Sequence, residues 1–230
     1  MNKKIFSSFV FFYVLLFLVI PPFFAPFFAE RQDSFIAHYP FTVFFNGCIS
    51  FLIYIFALNG KLFENKISDS RQPFFIYKAN ALITFGILCL SSVILEFTAF
   101  FFKINSGIHN IVYPDSFIFY INFISGVVFS AFTEEIIYRF YMPLVLFELL
   151  SRKIANKRYH LILSESCALL LFTFGHIYLG VFGVLNAFIC GAALRLCMIK
   201  TKSIWTSFIV HTLYNFLSFL LFWGLKNSFN

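Results

Sequence analysis

Phe129 to Pro143 reads Phe-Ser-Ala-Phe-Thr-Glu-Glu-Ile-Ile-Tyr-Arg-Phe-Tyr-Met-Pro. Two adjacent carboxylates, Glu134 and Glu135, and one guanidinium, Arg139, stand inside a run that is otherwise apolar. On a soluble helix this would be an ordinary surface. In lipid, a charged side chain at the bilayer centre costs at least ~2.5–3.5 kcal/mol and is a functional candidate by default. The reading therefore turns on what flanks these charges and what they face.

The flanks are those of a membrane protein. The 230 residues are 60% hydrophobic and only 12% charged, with a mean hydropathy of +0.87, whereas a soluble domain is about 25% charged. The expected fold class is all-α, a polytopic transmembrane helix bundle. No polar stretch is long enough for a separate soluble domain, so residues 1–230 read as a single integral membrane domain. The net charge of +7 does not point to nucleic acid, because Lys and Arg cluster in short loops between apolar runs, as topology determinants do. The lipid bilayer is the implied partner. Cys48, Cys89, Cys167, Cys190 and Cys197 all lie in apolar runs without C-x-x-C spacing, which reads as buried small side chains rather than a disulfide framework or a metal site.

About seven spans are expected, at 17–25 residues each. Met1 to Ala29 reads as a retained first helix bent by Pro21, Pro22 and Pro26, being too long for a signal peptide and lacking a cleavage site. Phe35–Leu58 and Ala79–Phe102 follow, the latter holding Glu96. The fourth runs from Ser116 through the opening motif to Pro143, and an apolar piece continues to Leu150 as a kinked extension or a separate turn. Leu161–Tyr178, Val184–Ile199 and Ser203–Trp223 complete the set. With a cytoplasmic N-terminus, the inner loops carry Lys3, Lys4, Lys61, Lys66, Arg71, Lys78, Arg152, Lys153, Lys157, Arg158, Lys200 and Lys202, against Arg31, Lys103 and Lys226 outside. That asymmetry indicates a multi-pass protein of the cell (inner or plasma) membrane with its N-terminus inside. Arg195 is expected to snorkel to the inner surface.

Helical spacing sorts the intramembrane polar residues. Glu135 and Arg139 are four apart and can pair on one face; the ordinary reading of that pair is structural. Glu134 is rotated by about 100° and needs a partner from another helix. His176 stands deep in the fifth span, with Phe172 one turn before it. His211 stands in the last span, with Asn215 one turn after it and Tyr214 near the same face. A single such histidine is usually hydrogen-bonded filler, but this many polar groups left unpartnered in lipid would cost several kcal/mol each, so they are expected to share one wet cavity. Glu96 and Glu165 read as structural or interfacial, and Asn186 as an ordinary interhelical hydrogen bond.

A carboxylate and an imidazole around one water can make it a nucleophile for a carbonyl. A second imidazole and an amide one turn apart can donate to the resulting oxyanion. This is a hydrolase constellation without a covalent nucleophile. Neither H-E-x-x-H nor G-x-S-x-G occurs, although a Glu–His–His zinc site remains geometrically possible. A proton-coupled transporter would use similar carboxylates, but no inverted repeat or paired broken helix accompanies them.

Glu134-Glu135-x-x-x-Arg139, Phe172-x-x-x-His176 and His211-x-x-x-Asn215, in that order, resemble the three motifs of the CPBP (Abi) family. These are intramembrane glutamic endopeptidases related to type II CAAX prenyl proteases and bacteriocin-processing or immunity proteins. The similarity covers residues 116–221, the helices that would carry catalysis. It implies that Glu134 and His176 activate water, that His211 and Asn215 form the oxyanion site, and that Glu135, Arg139 and Phe172 support them, with no metal and no cofactor. The implied substrate is a peptide or membrane-protein segment, such as a prenylated protein or a bacteriocin-like peptide. The alternative is a non-proteolytic scaffold or immunity protein of the same fold. One departure is Phe140, where many members have Gly after the arginine.

Overall fold

The computed structural model describes residues 10–28, 40–59, 73–103 and 117–228. The basic positions Lys3, Lys4, Arg31, Lys61, Lys66 and Arg71, and the loop to Asp115 with Pro114, lie outside the described residues. Among those described there is no strand. A π-helical turn, Val14–Val19, leads into α1 (Pro21–Phe28), followed by α2 (Pro40–Asn59), α3 (Phe74–Phe101) and α4 (Phe117–Glu134). A π-helical segment, Glu135–Tyr141, joins α4 to α5 (Met142–Ser151). Then come α6 (Lys157–Phe174), a 3-10 turn (Ile177–Leu179), α7 (Gly180–Thr201) and α8 (Ile204–Ser228).

Local chemistry sets the boundaries. Asn156 caps α6, its side-chain oxygen accepting from the Arg158 N–H at 2.9 Å. That helix ends at Gly175, where the chain tightens: the His176 N–H donates to Thr173 O, and the Leu179 N–H to His176 O. Gly180 then adopts φ +76°, a conformation that a side chain would strain, and α7 begins. Lys202, in the left-handed region at φ 53°, closes α7.

Helix α3 packs on α7, α2 on α4, and α6 on both α5 and α7, while α8 closes against α3, α4 and α7. The π segment touches α2, α4, α6, α7 and α8, and all seven of its residues are buried. It is the centre of the bundle. Ile136, Ile137, Tyr138 and Phe140 form a core with Val14, Val19, Ala168 and Phe172, and a second cluster joins Leu88 of α3 to Cys190, Leu194, Val210 and Tyr214. Two close approaches depend on glycine. A Cβ on Gly47 would lie 2.5 Å from Phe129 Cδ1, where α2 meets α4; one on Gly191 would lie 2.8 Å from Leu169 and 2.9 Å from Phe172, where α7 meets α6.

The outside is as apolar as the inside. Phe75, Leu82, Phe97 and Phe100 of α3 are 78%, 71%, 68% and 81% exposed. In water such a surface would aggregate; against acyl chains it is solvated. The protein is an integral membrane helix bundle.

Several boundaries differ from the sequence expectation. Among the described residues, four helical runs are long and apolar enough to cross a bilayer: Phe74–Phe101, Tyr120–Ser151, Ile177–Thr201 and Ile204–Leu221. Val10–Phe24 and Thr42–Ala57 are apolar but shorter, and α6 begins on Lys157 and Arg158 and carries Glu165, too polar to qualify. The third span starts at Phe74, so Lys78 sits within α3 with its ammonium 4.6 Å from the Phe74 ring. The fourth continues through Pro143 to Ser151 as one helical run, because the wide π turn accommodates the proline. His176 lies beyond the end of α6 rather than within it, since the chain leaves the α-helix at Gly175. Arg195 does not snorkel; it pairs with Glu165. All five cysteines are free.

Candidate active site

The two glutamates stand on either side of the change from α- to π-helix: Glu134 is the last residue of α4 and Glu135 the first of the π segment. The Met142 N–H reaches back five residues to Ile137 O, which makes the turn wide. Such turns inside α-helices occur frequently at functional sites.

Both carboxylates meet the imidazole of His211, from different sides. Glu135 Oε1 lies 2.9 Å from Nδ1, and Glu134 Oε2 lies 3.8 Å from Nε2. A carboxylate only accepts, so Nδ1 carries the proton and donates to Glu135; the tautomer follows from that contact. The roughly 100° between adjacent residues is thus used to bracket one ring. Glu135 is fully buried, and its Oε1 also lies 3.5 Å from Arg139 Nε. Arg139 is 2% exposed, and none of its side-chain nitrogens has a hydrogen-bond partner among the described residues. Its guanidinium instead lies 3.6 Å from the centroid of the Phe172 ring, a cation–π contact that partly replaces the lost hydration. Phe172 of the second motif is therefore the platform for the arginine of the first.

Glu134 is more open. Its side chain is 23% exposed, and Ser130, one turn earlier on α4, donates to its Oε1 at 3.0 Å. Tyr138, one turn further along the chain, packs edge-on against the Phe172 ring at 5.4 Å between centroids. His176 flanks the same region: its ring packs on Phe172 at 4.6 Å and stacks on Tyr178 at 6.1 Å. Its Nδ1 lies 2.9 Å from Phe172 O; a carbonyl accepts, so Nδ1–H is the donor and Nε2 keeps its lone pair free. Asn215 follows His211 by one turn of α8, half-buried. The structure thus brings Glu134, Glu135, Arg139, Phe172 and His211 into one contact network. It places His176 beside them through shared ring neighbours, and Asn215 along the same helix. Among the described residues, no group of three His, Cys, Asp or Glu side chains has the spacing to hold a metal ion.

Other expectations are settled by partners. Asn186 Nδ2 donates to Tyr214 OH at 2.9 Å, and Ser92 of α3 contacts both, so Asn186 ties α3, α7 and α8 together. Glu165 is structural, held by Arg195. Sequence reasoning missed Ser130, Tyr138, Tyr178 and Arg195. Ser130 was within reach, standing four residues before Glu134; the tyrosines and Arg195 join the site only through packing.

Residues 116–217 match a family model described as type II CAAX prenyl endopeptidase Rce1-like, the same family that the three motifs resemble. No curated protein and no solved structure matches the chain.

Proposed function

We propose, from the type II CAAX prenyl endopeptidase Rce1-like domain carried by residues 116–217, that this protein is an intramembrane peptidase in which a glutamate and a histidine activate water. The match itself supports a protease acting on a peptide or protein. The finer reading rests on one observation: of two adjacent glutamates against one histidine, Glu135 is sealed and Glu134 is 23% exposed. Only Glu134 can meet both water and substrate. Its 3.8 Å separation from His211 Nε2 exceeds a direct hydrogen bond and suits two groups that share a third.

In this mechanism Glu134 takes a proton from the attacking water as its oxygen bonds to the scissile carbonyl carbon. The free Nε2 of His176 accepts a second hydrogen bond from that water and orients it. The carbonyl oxygen becomes an oxyanion that receives a donor from Asn215 Nδ2 and, when both ring nitrogens of His211 carry protons, a second from its Nε2–H, since Nδ1–H stays on Glu135. The proton held on Glu134 then passes to the leaving amine as the C–N bond breaks. Glu135 keeps His211 oriented through Nδ1, and Arg139 on its Phe172 platform balances the sealed charge. No metal or cofactor is required by these steps. The substrate is a membrane-associated peptide, a prenylated C-terminus being the class that the family description names; a bacteriocin-like peptide is the other candidate.

The test is hydrolysis by purified protein in lipid, using a prenylated CAAX peptide, its unprenylated twin and a leader-type peptide. Cleavage that persists after exhaustive chelation supports the mechanism. Stoichiometric zinc, with activity lost on chelation and restored by metal, would replace it.

A further inference from the structure

The π segment shifts the helical register just where Pro143 lacks an N–H, and the carbonyl of Arg139 in that segment takes a donor from another helix. The position is critical, because this carbonyl lies one turn after Glu135, inside the buried π segment, where an unsatisfied backbone group is costly. Arg195 of α7 supplies a donor: its Nη1 reaches Arg139 O at 2.6 Å. The same guanidinium is fixed by a bidentate pair to Glu165 of α6, with Nε to Oε2 at 2.7 Å and Nη2 to Oε1 at 2.5 Å. A planar fork with two prongs on a carboxylate holds its remaining donor in a defined place. Three elements, α6, α7 and the π segment, thus meet at one backbone oxygen.

We propose that Arg195, anchored by Glu165, is a positioning residue for the Glu134–Glu135 centre, fixing the π turn by donating to the Arg139 carbonyl. The inference deepens the peptidase reading and rests on it for its kinetic consequence. Arg195 touches no reacting atom. A cavity of about 320 Å³ beside Arg195, Glu165, Tyr138 and Phe172 gives the role a distinctive signature. Without Arg195, water from this cavity can satisfy the carbonyl, so the fold survives. Water is not anchored to α6, so the turn is no longer held in register with His211. The loss falls on turnover rather than on stability.

The test compares three full-length proteins: wild type, Arg195→Gln/Glu165→Gln and Arg195→Lys. Changing Glu165 along with Arg195 avoids stranding a carboxylate, and Arg195→Lys keeps a cation beside Glu165 without the planar fork that aims a donor at the carbonyl. A charge-assisted hydrogen bond is worth a factor of about 10–100. The double variant should lose a factor in that range in kcat, and Arg195→Lys a smaller one, with KM and melting temperature nearly unchanged. Wild-type turnover in the double variant overturns the proposal and leaves the peptidase reading standing. Should the double variant not be recovered folded, Arg195→Lys is read by the same criterion. Should wild type cleave nothing, the peptidase reading fails, and amide exchange of residues 135–146 still decides: faster exchange in the double variant upholds the positioning, and equal exchange ends it.

Discussion

Two glutamate–arginine pairs, linked in space where Arg195 reaches the Arg139 carbonyl, differ in nearly every respect. Glu165–Arg195 is tight, with contacts of 2.5 and 2.7 Å, yet its side chains are 27% and 21% exposed. Glu135–Arg139 is loose, at 3.5 Å, yet its side chains are 0% and 2% exposed. A pair made for stability alone would reverse this, since desolvation is repaid only by good geometry. The sealed pair is loose because Glu135 spends the same oxygen on His211, and Arg139 spends its face on Phe172. Tight geometry goes with the pair that aims a donor between helices. Compromised geometry in the driest place goes with the pair at the candidate site.

The comparison can be broken by mutation. Its largest expected effect is on catalysis at the open glutamate. Glu134→Gln keeps shape but removes the base, so peptide hydrolysis should fall by roughly 10²–10⁴-fold while yield and melting temperature hold. Full retention of activity, or of every cellular effect, would favour the scaffold reading. Glu135→Gln should behave differently: it leaves Arg139 buried without its counter-charge, at a cost of about 3–5 kcal/mol. Reduced recovery and a lower melting temperature should accompany lost activity. If the two variants match in both readouts, the division between sealed and open glutamate is wrong.

A smaller effect sharpens the account of Arg139. Phe172→Leu removes the ring beneath the guanidinium, worth about 0.5–2 kcal/mol beyond the lost volume, and thermal unfolding should register it. An unchanged melting temperature would mean that the ring contact contributes nothing. The smallest effect is the control. Arg152–Glu148, a third glutamate–arginine pair and like Glu135–Arg139 an i,i+4 one, lies at 3.2 Å with side chains 60% and 49% exposed, and Glu148→Gln should change stability by no more than about 0.5 kcal/mol. A larger loss would remove burial as the variable that separates these pairs.

By itself the sequence determined the helical membrane class, because composition that apolar cannot be hidden in a water-soluble fold of this length. It also determined the ordered triple of motifs and the pairing of Glu135 with Arg139, since a separation of four residues is local geometry. Ser130, four residues before Glu134, and the missing N–H of Pro143 were equally local and could have been read there. What the sequence could not fix was anything set by two helices at once. The meeting of both glutamates on His211 joins positions 134–135 to 211. The use of Phe172 as a platform for Arg139 joins α6 to the π segment. The capture of Arg139 O by Arg195 spans 56 residues. The end of α6 before His176 and the widening of the helix at Glu135 also belong to the tertiary structure. Both exchange regular backbone bonds for contacts available only after neighbouring helices have packed, and hydrophobic periodicity carries no record of that exchange.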